Sequence, residues 1–144
     1  MAQREVHFHE QINAPIDRVF EFLADHQNFA ALFGGRCTRI KPGDDAAEPN
    51  GVGSVRRIGP GPLAFDETIV VFDRPQRIDY TISRGSPLKN HLGSIRLRNT
   101  GAGTEIDYVI RAEGRLPGLG ALAGHALALA WKANARKQFA KIEA

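Results

Sequence analysis

Val6, Phe8, Glu10 and Ile12 fall on one side of residues 5–13 and His7, His9, Gln11 and Asn13 on the other, the period of a strand with one buried face. Asn13-Ala14-Pro15 ends that alternation, and Ile16, Val19, Phe20 and Leu23 then recur at helical spacing to about Asp25. Pro15 suits a first helical turn, where no amide donor is missed. A second short helix is expected over 26–33, closed by Gly34-Gly35. From Arg36 the chain breaks into strand-length segments near 36–41, 52–58, 63–72, 77–84, 89–99 and 103–113. Turn chemistry separates them: PGDDAAEPNG, GPGP, DRPQ, RGSP and TGAG. From about Leu119 to Ile142 the sequence becomes an Ala- and Leu-rich helix opened by LPGLG, long enough to span roughly 35 Å at 1.5 Å per residue.

This order predicts an α+β fold: a seven-stranded antiparallel sheet curled around the long C-terminal helix, with two short helices after strand 1. The first half of the long helix is apolar on nearly every side. Leu119, Leu122, Leu127 and Leu129 are separated there by Ala121, Ala123, Ala126, Ala128 and Ala130. Small residues alternating with Leu either pack closely or leave a cavity against the sheet, and the pattern leaves both open. Leu127, Trp131, Phe139 and Ile142 share an arc and read as helix-to-sheet core.

Composition narrows the class. A chain of 144 residues makes one domain, expected over 1–144, and 42% hydrophobic with 24% charged residues argues against global disorder. No apolar run approaches the roughly 18 residues of a membrane span. The opening MAQREVHFHEQ holds no apolar core of the kind a secretory signal needs, and Cys37 is the only cysteine, so a reducing cytoplasm is expected. The net charge of +3 is spread along the chain rather than massed in a stripe with stacking aromatics, which speaks against nucleic acid as a partner. Lys132, Arg136, Lys137 and Lys141 instead solvate the end of the last helix. GVGSVR lacks the spacing of a dinucleotide loop, and no phosphate-binding loop occurs, so no cofactor is expected. His7 and His9 share a strand face but point outward with no third ligand nearby in sequence, and no metal is expected either.

INAPIDRVFEFLAD at the first strand-to-helix junction, GVGSVR, and the later YTISRGSP, HLGSIRL, GTEIDY and LPGLG together span nearly the whole chain. In these segments the sequence resembles the START-like, or Bet v 1-like, superfamily with its helix-grip fold, and within it the polyketide cyclase/dehydrase-like proteins. The resemblance implies a pocket between sheet and long helix for a hydrophobic or amphipathic small molecule such as a lipid, quinone or polyketide. It does not name the ligand, and members include enzymes, binding proteins and chaperone-associated modules.

Strand parity then selects the residues facing that pocket. The inward sets are Val6, Phe8, Glu10, Ile12; Val52, Ser54, Arg56, Ile58; Phe65, Glu67, Ile69, Val71; Ile78, Tyr80, Ile82; His91, Gly93, Ile95, Leu97; and Thr104, Ile106, Tyr108, Ile110. Polar side chains among apolar neighbours stand out: Glu10, Arg56, Glu67, Tyr80, His91 and Tyr108. Buried ions must be paired. Arg56 and Glu67 sit on consecutive strands joined through GPGP, and a salt bridge between them on the inner face is expected. Tyr80 and Tyr108 offer a ring to an apolar guest and a hydroxyl to its polar end, and His125 on the long helix could reach the same space.

Two functions from different classes follow. The first is binding of a hydrophobic or amphipathic small molecule, oriented by Arg56, Glu67, Tyr80, Tyr108 and His125, with His91 beside them. The alternative is a cyclase or dehydratase-type enzyme in which Glu10 and His91 supply the general base, provided the two meet in space. A domain acting through a protein partner is a third possibility, for which the charged outer face of Arg77, Arg96, Arg98 and Arg111 offers little apolar surface.

Overall fold

A computed structural model describes residues 3–143; residues 1, 2 and 144 of the expected domain lie outside that range. Its elements run β1 (Arg4–Ile12), α1 (Ile16–Ala24), α2 (His26–Ala31), β2 (Cys37–Lys41), β3 (Val55–Ile58), a 3-10 turn (Gly61–Leu63), β4 (Phe65–Asp73), β5 (Arg77–Arg84), β6 (Leu88–Thr100), β7 (Gly103–Gly114) and α3 (Leu119–Ala140). The seven strands form one antiparallel sheet in the order β1-β7-β6-β5-β4-β3-β2, curled around α3 in a helix-grip arrangement. Chain neighbours pair as hairpins except at β1, which closes on β7 in an unbroken register from Arg4↔Ala112 to Ile12↔Thr104.

Local chemistry explains the helical insert. Val19, Phe20, Phe22 and Leu23 bury one face of α1, and Asp25 then ends that helix in extended conformation. The same residue caps α2, its carboxylate accepting from the Asn28 amide at 2.8 Å. The sharp turn between the two helices carries His26 and Phe29 inward over the sheet. The core lies under the C-terminal half of α3, where Trp131, Ala135 and Phe139 form a stripe at helical spacing. Trp131 stacks on Phe8 of β1 at 4.5 Å between ring centroids.

Two expectations are corrected. The strand expected over 52–58 starts only at Val55, because Gly51-Val52-Gly53 is a turn with Gly53 at φ +88°, and Val52 is exposed rather than inward. In β4 the register shifts between Ile69 and Val71, so that Phe72, not Val71, packs on the core against Phe20. One extra residue reverses the parity of everything beyond it. The first half of α3 is not gripped on all sides: Leu122 is 65% and Leu129 56% exposed, and the helix's buried residues start at Trp131. The outer sheet face is ion-paired, with Arg57 and Arg84 closing over Asp66, and Arg77 over Asp79.

Candidate functional site

Where the first half of α3 stands off the sheet, it leaves a cavity of about 510 Å³. Ala123, Ala126, Leu127 and Ala130 of α3 form one wall, Phe29 and Phe33 a second, and Ile58, Phe65, Ile82 and Ile110 the sheet floor. Leu63, 79% exposed, and the segment 85–87 stand at the rim. The alternative left open by the Ala/Leu pattern is thereby resolved. Alanines that would otherwise have met the sheet face a void.

Glu67 enters this apolar space from β4 and is 5% exposed. Its partner across the β3–β4 pair, in direct register, is Arg56, whose Nε donates to Glu67 Oε1 at 2.8 Å. The salt bridge expected from the sequence is present. Burial pushes the Glu67 carboxyl upward, and the Arg56 charge only partly offsets this. Arg56 itself is 1% exposed, with its guanidinium lying 3.8 Å from the Phe29 ring centroid and 4.7 Å from that of Tyr80. Arg56 Nη2 is buried and has no hydrogen-bond partner among the described residues.

Behind Arg56 runs a chain of hydrogen bonds with a fixed direction. Arg56 Nη1 donates to His26 Nδ1 at 3.3 Å, and a guanidinium cannot accept, so Nδ1 is the bare nitrogen. Nε2–H of His26 therefore donates to Ser54 Oγ at 2.8 Å, and that hydroxyl donates to the Lys41 carbonyl at 3.2 Å. Burial and then the Arg56 charge lower the His26 pKa to about 4, keeping the ring neutral. Strand parity could not find His26, because it opens a helix. Ser54, which parity did place inward, was the available hint.

His91 owes its position to a broken ladder. The register of β6 against β7 shifts between Lys89 and Leu92, Asn90 takes φ +51°, and the paired residues of β5 with β6 run only from Arg77 to Tyr80. The Ile82 amide, left without a strand partner there, donates instead to His91 Nδ1 at 3.1 Å. Nε2 accordingly carries the ring hydrogen, on the edge away from the strand, and the side chain lines the cavity. Burial and then Arg56 lower its pKa to about 4, so His91 is a neutral hydrogen-bond donor.

Tyr80 lines the cavity with its ring, but its hydroxyl bonds that of Tyr108, which stands deeper, beyond the cavity wall. Burial raises both phenols, so both stay protonated. The Tyr80 ring lies over Gly93, its register partner, and any Cβ at Gly93 would collide with it.

The structure thus brings Arg56, Glu67, Tyr80, Tyr108 and His91 together. It places Glu10 and His125 elsewhere. Glu10 pairs with Ile106, which pairs with Leu97, six residues from His91 along β6, so about 20 Å separates the two rows at 3.3 Å per residue. Glu10 Oε2 instead accepts from Trp131 Nε1 at 3.0 Å. His125 is exposed on α3, on the side turned away from Ala123 and Leu127. Cys37 lies part-buried with its thiol donating to the His26 carbonyl, and burial pushes it up to about 11, too high for a reactive thiolate. On the outer face, β7 brings Glu105 and Asp107 to within 4.8 Å of His9, a grouping the linear sequence hides. Arg98 already neutralises Glu105 there at 2.6 Å. No helix among the described residues is long and apolar enough to cross a membrane.

The family model for polyketide cyclase / dehydrase and lipid transport matches residues 3–144. No curated protein matches the sequence. Among solved structures, the chain is similar to major latex-like protein 151 of Panax ginseng, with 15% identity, 99% of each chain covered and a TM-score of 0.73. It is similar to the ZhuI aromatase/cyclase of Streptomyces sp. R1128, with 18% identity over 98% of this chain and 94% of that one and a TM-score of 0.72. Norcoclaurine synthase of Thalictrum flavum, solved with dopamine and hydroxybenzaldehyde, follows at 14% identity, 92% and 87% coverage and a TM-score of 0.59. At these identities the likeness is one of fold.

Proposed function

Because this chain belongs to the polyketide cyclase / dehydrase and lipid transport family, we propose that it binds a hydrophobic or amphipathic small molecule between the sheet and α3. The observation that carries this reading is the cavity itself. Its volume of about 510 Å³ falls within the roughly 300–1,000 Å³ of small-molecule sites, and its walls are apolar with a few convergent polar groups. Burying apolar guest surface supplies about 25 cal/mol per Å², and Glu67 and His91 set orientation. A cytoplasmic setting is supported by the free Cys37.

A second reading, chemical conversion of the guest, is favoured by Glu67 and His91 lining one cavity. In that reading Glu67, its carboxyl pushed upward by burial, takes a proton from the guest while His91 Nε2–H steadies the developing oxyanion. Glu10 stands too far from His91 to share the step.

Native mass spectrometry of the protein purified without added ligand, followed by extraction of any released compound, tests the binding reading. The expected result is a bound hydrophobic species that denaturation releases. A bare protein mass together with no measurable affinity for naphthalene-sized aromatic alcohols would overturn it.

A further inference from the structure

Resting on the binding reading above, we propose that the cavity selects uncharged guests carrying a hydroxyl, and that Glu67 is the residue that turns carboxylates away. Three observations carry this. Among the described residues no lysine or arginine lines the cavity, so a guest anion meets no cation there. Arg56 stands behind Glu67 with its faces covered by Phe29 and Tyr80 and its Nε and Nη1 spent on Glu67 and His26, while its unpartnered Nη2 is buried and Arg56 does not line the cavity. Apart from Ser86 at the rim, whose hydroxyl oxygen accepts from the Leu88 amide, the polar groups that reach the space are of complementary kind. Glu67 has one oxygen, Oε2, without a hydrogen-bond partner among the described residues, and His91 presents Nε2–H.

A hydroxyl is the neutral group that donates and accepts through one atom, so its O–H can meet Glu67 while its oxygen, or a second oxygen nearby, takes the His91 hydrogen. The two residues flank Ile82 on either side of β5, through the Glu67↔Ile82 pair and the Ile82-to-His91 bond, and so address the same end of a guest. A guest with no polar group leaves both unpaired in an apolar cavity, at the usual cost of an unmade bond. A carboxylate is worse placed. It brings a second negative charge against Glu67, in surroundings where charge is poorly screened.

Calorimetric titration of the full chain at pH 8 with 2-naphthylmethanol, 2-naphthoate and 2-methylnaphthalene tests the proposal. The alcohol should bind about tenfold or more tighter than the carboxylate. It should also bind about threefold or more tighter than the hydrocarbon. Glu67→Gln, which keeps an oxygen for Arg56 Nε and removes the charge, should cut the alcohol-over-carboxylate ratio by about fivefold or more. Naphthoate binding as tightly as the alcohol, or an undiminished ratio in folded Glu67→Gln, would overturn it.

Should that variant fail to fold, the Arg56→Leu, Glu67→Leu double variant decides, since it removes both charges of the buried pair and strands neither. Its alcohol-over-carboxylate ratio should fall by about fivefold or more, and an undiminished ratio counts against the proposal. Binding of all three compounds without preference for the alcohol leaves the cavity reading standing and removes only the selectivity, whereas binding of none removes both.

Discussion

Arg56 and Glu67 illustrate how unequal the partners of a buried ion pair can be. Removing one member strands the other, at about 3–5 kcal/mol, whereas replacing both by apolar groups is close to neutral. The cost is asymmetric here. A stranded Glu67 can take up a proton, but a stranded Arg56 cannot lose one. In urea denaturation, Glu67→Leu should therefore destabilise more than Arg56→Leu, and the double variant should recover most of the loss; equal single costs that add in the double variant would contradict the coupling. His26 makes a second prediction at this scale. Its folded pKa of about 4 lies below the unfolded value near 6.5, so between these values the unfolded chain binds more protons. His91, also at about 4, acts in the same direction. Their contribution is complete above pH 6.5 and is lost as the pH falls toward 4. Glu67, with its carboxyl raised, pulls the opposite way, so the histidine share is read by difference. Thermal melts of His26→Gln should fall less steeply than wild type across pH 6.5 to 4.

Among the elements, α3 divides its labour. Trp131, Ala135 and Phe139 anchor it, while Ala123, Ala126 and Ala130 keep room for a guest. Ala130→Leu should fill part of that room, lowering affinity for 2-naphthylmethanol by about tenfold or more. Little change in melting temperature should accompany the loss, since the anchor is untouched. The β5–β6 pair behaves differently, because its fit is tight where Tyr80 crosses Gly93. Gly93→Ala should cost about 1–3 kcal/mol through displacement of that ring, measured by denaturant unfolding. A neutral Gly93→Ala would mean that the ring has freedom to move, and with it the Tyr108 hydrogen bond.

Over the whole molecule, structure and site occupy opposite ends of one helix-and-sheet sandwich. The Phe8–Trp131 stack and the Glu10-to-Trp131 bond hold the closed end, and Leu63 with segment 85–87 rims the open one. Glu10→Ala should accordingly reduce stability by about 1–2 kcal/mol, a charge-assisted hydrogen bond's share, with guest affinity changed by less than about twofold. A large affinity loss in that variant, at unchanged stability, would return Glu10 to the site. Guest binding should raise the melting temperature in a concentration-dependent manner, because only the folded chain has the cavity.

Alternation in β1 and β5–β7, helical spacing in α1 and the LPGLG opening of α3 were legible without coordinates, because periods of two and of 3.6 residues express which face meets the core. The Arg56–Glu67 pair was legible for the same reason, one hairpin and one parity relating the two. Where the period slipped by one residue, the continuous apolar run Ile69-Val70-Val71-Phe72 blurred the parity without locating the slip, and Lys89 to Leu92 carried no mark at all, since a bulge arises from how neighbouring strands twist against each other. The same limit hid His26, whose partners come from β3 and the turn before it, and the distance between Glu10 and His91, which depends on a shared neighbour, β7. Composition along α3 determined that it could lie close to the sheet or stand away. Only the packing of Trp131 and Phe139 against β1 and α1, which tethers one half of the helix and not the other, decided that a cavity is there.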